Sequence, residues 1–280
     1  MNEAQNFLFE NHGIRGGIVR LRETWLQTIA QHHYSETVRQ LLGETVAATV
    51  LLGASLKDQP KISIQMQGNG ALSLLVVQCT GDLRVRGMAQ ANHDLPGENL
   101  LGSGRLSVNV DTGRENGFFQ GIVPLAGPRI TDCLESYFEK SEQLATKLYL
   151  FSDDETASGL VLQMLPGAED HEAFNTACML ANTLTAAEIR AAAASELLRK
   201  VFSGFDVRLF AAKPVLHDCR CTPEHLARIA RMLGKEELES LVIERGNVEL
   251  TCEFCNRHFR YSENQVGAIL RGEAPSAKLH

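Results

Sequence analysis

The stretch Lys61–Cys79 reads KISIQMQ, then GNG, then ALSLLVVQC. Ile62, Ile64 and Met66 recur at period two, which places them on one face of a strand, and Ala71 to Cys79 is a more continuously apolar run. Between them, Gly68-Asn69-Gly70 supplies residues that tolerate positive φ, so the stretch predicts a hairpin closed by a tight primed turn. Upstream, Glu36 to Leu56 sets Val38, Leu41, Leu42, Val46 and Val50 at helical spacings behind Ser35, a capping residue. Downstream, strands are predicted at Leu83 to Gln90, Arg105 to Val110 and Phe118 to Pro124, joined by turns at Asp111-Thr112-Gly113 and Glu115-Asn116-Gly117. A further pair, Lys147 to Ser152 and Gly159 to Met164, flanks the acidic tip Asp153-Asp154-Glu155. Short neighbouring strands joined by hairpins pair antiparallel, so the pattern predicts an α+β fold with helices packed on a mostly antiparallel sheet, not a doubly wound one.

The pattern changes after Pro166-Gly167. Glu169 to Phe202 is rich in Ala, Leu and Glu and reads as helical. Thr185-Ala186-Ala187-Glu188 has the form of a capping box, with Leu184 and Ile189 in hydrophobic-staple positions and Gly204 available as a stop. Between Thr185 and Lys200 the large apolar residues are Ile189, Leu197 and Leu198 alone. An isolated helix of that length is marginal in water, so this one depends on its neighbours and detaches easily.

A chain of 280 residues is about twice the usual domain length of roughly 150, which predicts a core domain and a smaller second unit. With 44% hydrophobic and 22% charged residues the composition is that of a folded globular protein. The longest apolar run, Val46 to Leu56, falls short of the ~20 residues that cross a bilayer, and no basic flank with an apolar core opens the chain. The expectation is a soluble, non-exported protein with no membrane partner. A net charge of -7 argues against bulk attraction to nucleic acid. Seven cysteines, scattered except near the carboxyl end, fit the reducing cytoplasm better than a secreted disulfide framework.

Chemistry concentrates in the last quarter. Cys219-Arg220-Cys221 is followed after thirty residues by Cys252-Glu253-Phe254-Cys255. Two close cysteine pairs at this separation can converge as four thiolates on one tetrahedral ion, and four soft sulfur donors with no open position suit one structural Zn(II) per chain. His217 and His258 lie nearby as alternative ligands, but four thiols already complete the set. A module of some fifty residues buries too little to fold on its apolar core alone, so metal and fold should be coupled. Oxidation of either pair to a disulfide withdraws thiolates from the ion, which makes metal loss a switch. A nucleic-acid-binding zinc ribbon is the first alternative, but seven basic and eight acidic side chains between His217 and Ser262 leave no basic footprint. A dithiol oxidoreductase using Cys252 and Cys255 is the second, but no buried strand leads into a helix opening at Cys252. Gly102-Ser103-Gly104 reads as a turn, His32-His33 as a polar helix end, and Cys79, Cys133 and Cys178 as small buried residues. No nucleophile, base and orienting group stand together, so no enzyme is predicted.

With these residues in view, the sequence resembles the thirty-three-kilodalton heat-shock chaperone family, the redox-regulated holdases of the bacterial cytoplasm. The resemblance is carried by Cys219-Arg220-Cys221-Thr222-Pro223-Glu224, Gly234-Lys235-Glu236-Glu237-Leu238 and Cys252-Glu253-Phe254-Cys255, with support from Gly104-Arg105-Leu106-Ser107-Val108 and Ser141-Glu142-Gln143. His225 and His258 depart from the usual pattern. The resemblance implies three parts: a client-binding α+β core (1–167), a metastable helical linker (168–216) and a zinc-binding redox switch (217–280). It further implies that the reduced, zinc-bound form is inactive. Oxidation then pairs Cys252 with Cys255 first and Cys219 with Cys221 second, releases zinc, unfolds the linker, promotes a homodimer and exposes a surface that holds unfolding client proteins without ATP. The lack of a phosphate-binding loop agrees with the last point.

Overall fold

The computed structural model describes residues 1–91, 100–115, 117–125, 127 and 129–273. The chain divides into two compact units, Met1–His217 and Asp218–His280. In chain order the first contains β1 (Asn2–Phe9), β2 (Ile14–Leu21), α1 (Glu23–Ile29), α2 (Glu36–Ser55), β3 (Lys61–Gly68), β4 (Leu72–Cys79), β5 (Arg84–Ala91), β6 (Gly104–Asp111), β7 (Phe118–Pro124), α3 (Ile130–Tyr137), β8 (Thr146–Ser152) and β9 (Ala157–Met164). It continues with α4 (His171–Ala181), α5 (Ala186–Ala191), α6 (Ala194–Val201), β10 (Val207–Leu209), β11 (Lys213–Pro214) and β12 (Leu216–His217).

Two sheets form, and the α+β expectation holds. The first has the order β10-β1-β2-β9-β8, with β11 also on β1, and is antiparallel throughout. The second runs β12-β5-β4-β3-β6-β7 and is antiparallel except where β12 joins β5. Helix α2 contacts strands of both sheets, and Leu42, Val46 and Val50 on it are fully buried. Every residue from Thr45 to Ala54 of α2 is buried, and a stretch covered on all sides must sit inside the unit, which is why α2 lies between the two sheets. Gly43 permits the closest approach: a Cβ there would lie 1.9 Å from Ser152 Oγ of β8. Ser35 caps α2 as the sequence predicts, its hydroxyl accepting from the Val38 N–H.

The predicted hairpin is present, with Ile62 opposite Cys79 and Gln67 opposite Leu74, but its turn is not of the predicted kind. None of Gly68, Asn69 and Gly70 takes positive φ. Their amides are held elsewhere: Asn69 N–H donates to Ser103 O at 3.1 Å and Gly70 N–H to Leu101 O at 3.3 Å. The left-handed residue is Gly102 instead, at φ +62, where a Cβ would meet Asn69 Oδ1. A neighbouring segment, invisible to local turn chemistry, replaces the primed turn. The turn predicted at Glu115-Asn116-Gly117 includes Asn116, which lies outside the described residues.

The other face of the first sheet carries Phe7, Phe9, Ile14, Ile18, Leu160, Leu162 and Met164, packed with α4, α5 and α6 in one apolar cluster. The helical segment expected over Glu169 to Phe202 forms three helices: the start expected at Thr185 is present, but the helix expected from there to Lys200 is broken, with Ala192 and Ala193 extended between α5 and α6. Alanine propensity alone cannot decide the path, since Ile189, Leu197 and Leu198 must all reach the sheet and all are buried. The capping box is formed: Thr185 Oγ1 accepts from Glu188 N–H at 3.3 Å, and Glu188 Oε2 accepts from Thr185 N–H at 3.1 Å.

The second unit comprises α7 (Pro223–Met232), α8 (Lys235–Arg245), β13 (Asn247–Thr251), β14 (His258–Ser262) and α9 (Glu263–Leu270). β13 and β14 form a two-stranded antiparallel sheet, and Leu226, Ala230, Leu238, Val248, Phe259, Tyr261 and Val266 make a small core. Among the described residues, no helix of either unit is long and apolar enough to cross a membrane.

Candidate metal centre

Local geometry explains how each cysteine pair is presented. Cys219 and Cys221 precede α7, whose start is fixed by Thr222, its side chain accepting from His225 N–H, and by Pro223 in the first turn. Cys252 and Cys255 occupy the turn between β13 and β14. There Cys252 N–H donates to Arg257 O at 2.9 Å, Asn256 N–H donates back to Cys252 O at 2.8 Å, and Asn256 takes the left-handed conformation at φ 52. Tyr261, fully buried, ties this hairpin to the first pair by donating its hydroxyl to Pro223 O at 2.7 Å.

The structure brings all four sequence-predicted residues together. Their Sγ atoms lie within 4.8 Å of one another, and this is the one such convergence of His, Cys, Asp or Glu among the described residues. Cys219 Sγ lies 3.5 Å from both Cys221 Sγ and Cys252 Sγ, and Cys221 Sγ lies 3.2 Å from Cys255 Sγ. Four sulfurs each at the usual ~2.3 Å from a central zinc would be roughly 3.8 Å apart, so the donor set and its spacing fit a closed tetrahedral site. Cys221 and Cys252 are buried and the other two partly exposed.

The electrostatics of the cluster are cooperative. Cys252 is held well below the ordinary thiol value, first by the hydrogen bond from the Cys219 thiol and then, against burial, by the backbone N–H groups of Cys255 and Phe254. Cys219 is driven up by donating that same proton and by burial, and Cys221 is raised by burial and by Cys255. One thiolate can therefore persist only by keeping its neighbours protonated; four require a cation among them. The remaining cysteines behave differently. Burial pushes Cys79 up to about 12 and Cys178 up to about 11, while Cys133 is fully buried, so these three have the character of packing residues.

His217 sits on β12 and His258 on β14, the latter with Nδ1 3.0 Å from Thr251 Oγ1, and neither joins the thiol group. Cys252 leads into a turn and β14, not a helix, so the surroundings of a thioredoxin-like dithiol are missing. No local sequence signal marks the backbone donors of Phe254 and Cys255 or the Tyr261–Pro223 bond, which depend on the folded turn and on residues far apart in the chain. Thr222-Pro223-Glu224 carried a readable signal for the helix start.

A family model described as Hsp33 protein matches residues 2–262. The chain belongs to the Hsp33 family. Among its relatives is a 33 kDa chaperonin from Nitrosococcus oceani, 39% identical over 268 residues that cover 93% of this chain and 92% of that one. Another, from Methylobacillus flagellatus, is 36% identical over 94% of this chain and 92% of its own length. The crystal structure of a 33 kDa chaperonin from Thermotoga maritima has the same fold, with a TM-score of 0.83, 23% identity, and 97% of this chain and 99% of that chain covered. Hsp33 is a chaperone family, not an enzyme family, in agreement with the absence of a predicted catalytic constellation.

Proposed function

We propose that this chaperone is a redox-regulated, ATP-independent holdase of the cytoplasm. The reading rests on one observation above all: four Sγ atoms from two sequence-distant pairs lie within 4.8 Å of one another. Cys219, Cys221, Cys252 and Cys255 would hold one Zn(II) per chain in the reduced protein. The ion, when bound, supplies the positive charge that lets four crowded thiolates coexist and cross-links the start of α7 to the β13–β14 turn.

Oxidation acts on the thiolates. Each pair gives two electrons to a peroxide, which is reduced to water as one S–S bond forms, and a disulfide no longer ligates. The family resemblance supports Cys252–Cys255 as the first pair and Cys219–Cys221 as the second. A CxxC bridge spans two residues and a CxC bridge one, so the first closes with less strain. Core (1–167), linker (168–216) and switch (217–280) would act as three parts in this cycle. Linker helices α5 and α6, whose buried residues are Ile189, Ala194, Leu197 and Leu198, stay docked only while their surroundings hold them. Their release would uncover Phe7, Phe9, Ile18 and Leu160, an apolar face suited to unfolding clients and to a homodimer of the oxidised form.

The test is aggregation of a heat-unfolded client, followed with reduced and with peroxide-treated protein and no nucleotide, beside zinc release to a chromophoric chelator. Suppression confined to the oxidised, zinc-depleted protein is the expected result. Equal suppression by both forms removes the switch, and tight sequence-specific nucleic-acid binding favours the ribbon alternative.

A further inference from the structure

A cavity of about 390 Å³ opens on the α2 side of the first sheet, beside the last turn of α2. Leu52 and Ala54 of α2, Val161 of β9 and Leu165 give it apolar walls. Arg15 of β2 reaches into it and has only neutral acceptors. Its Nε donates to Gln163 Oε1 at 3.0 Å, its Nη2 donates to the same oxygen, and its Nη1 reaches Ser55 O at 3.5 Å. Gln163 is itself fixed, its amide donating to Thr146 Oγ1 at 2.7 Å, so the guanidinium is held in place without being neutralised. Among the described residues no carboxylate pairs with Arg15, and burial depresses its pKa with no opposing partner. Lys213, also without an ion-pair partner among the described residues, lines the same cavity from β11.

Arg15 is half-buried, and a charge partly withdrawn from water and given only neutral partners is costly, so such a site attracts an anion. The adjacent carboxyl end of α2 adds partial negative charge, offset where Asn6 Nδ2 donates to Ala54 O at 2.8 Å, and this favours a singly charged ligand over a dianion. A planar guanidinium fork matches a carboxylate, and the apolar walls match an alkyl chain. The volume lies within the range of pockets that enclose small ligands, which begins at about 300 Å³.

We propose that this cavity binds one linear, medium-chain monocarboxylate, with its carboxylate on Arg15, Lys213 at the mouth, and its tail along Leu52, Val161 and Leu165. The site lies within Met1–His217, and Ala211 and Lys213 of its wall belong to the 168–216 segment, so it is complete in the reduced, zinc-loaded form with that segment docked. The test is calorimetric titration of the full, reduced, zinc-loaded chain with decanoate below its micelle threshold, against decanol and decylamine. One decanoate per chain, bound at least tenfold more tightly than either analogue, is expected. Arg15→Gln should weaken decanoate at least tenfold and leave decanol unchanged, whereas Ala211→Trp, an exposed position on the cavity wall, should weaken both. Equal binding of decanoate and decanol overturns the proposal, as does decanoate binding that survives Ala211→Trp. Several molecules per chain displaced by an unfolded client also overturn it, by assigning the binding to a client surface. Thermal melting of each variant establishes that it is folded. The Ala211→Trp result decides the matter even where Arg15→Gln does not fold.

Discussion

The two units of this chain reach stability by different routes. In Met1–His217 a helix buried along Thr45–Ala54 is enclosed by two sheets, and its core is made of ordinary aliphatic and aromatic side chains. In Asp218–His280 a much smaller core includes Cys221 and Cys252 among its buried members, so the residues that would bind a metal are also part of the packing. The first kind of core responds to volume; the second responds to whatever changes its sulfurs.

Removing the metal should separate the two most sharply. Chelation of the reduced protein is expected to abolish amide protection throughout α7, α8, α9 and the β13–β14 pair, a loss on the order of 10–16 kcal/mol, while α2 and its sheets keep theirs. A second unit still protected after chelation, or zinc content that survives Cys252→Ser with Cys255→Ser, breaks the contrast. A cavity in the first core should do the reverse. Leu42→Ala, at a fully buried position, is expected to cost about 2–5 kcal/mol in urea unfolding of the first unit and to leave zinc content unchanged.

Smaller changes sharpen the comparison. Tyr261→Phe leaves Pro223 O without its hydroxyl partner, at an expected cost of roughly 1–3 kcal/mol confined to the second unit, with faster zinc transfer to a competing chelator as the readout. Thr185→Ala removes the α5 cap and should cost about 1 kcal/mol, visible as faster exchange of α5 amides with α2 unaffected. The smallest effect concerns pH. His12, whose ring nitrogen donates to Asp170 at 2.7 Å, and the Ala173 N–H hold the Asp170 carboxyl below its ordinary value at the start of α4. A carboxylate lowered on folding stabilises above its unfolded pKa and loses that contribution as pH falls through the folded one. Protection of α4 should therefore weaken below about pH 4, and Asp170→Asn should flatten that dependence.

Much of the fold was readable locally. The alternation at Ile62, Ile64 and Met66, the apolar spacing behind Ser35 and the capping box at Thr185 each lie within a few residues of the feature they specify. β1 and β2 were not marked, although Phe7 and Phe9 alternate, because glycines at 16 and 17 thin the pattern of β2. Gly16 is there for close approach, since a Cβ would fall 2.1 Å from the Phe7 ring.

By itself the sequence determined the ligand types and their spacing, because a thiol pair two or three residues apart is a local fact. It also determined the periodicities that make α2 a helix and its neighbours strands. Only the tertiary structure decided the rest. It set the convergence of Cys219 and Cys221 with a pair thirty residues away, the break at Ala192 and Ala193, the turn held by Leu101 and Ser103, and the unneutralised charge of Arg15 beside α2. Each of these depends on groups far apart in the chain, and burial and hydrogen-bond satisfaction, which choose among locally permitted conformations, exist only once those groups have met.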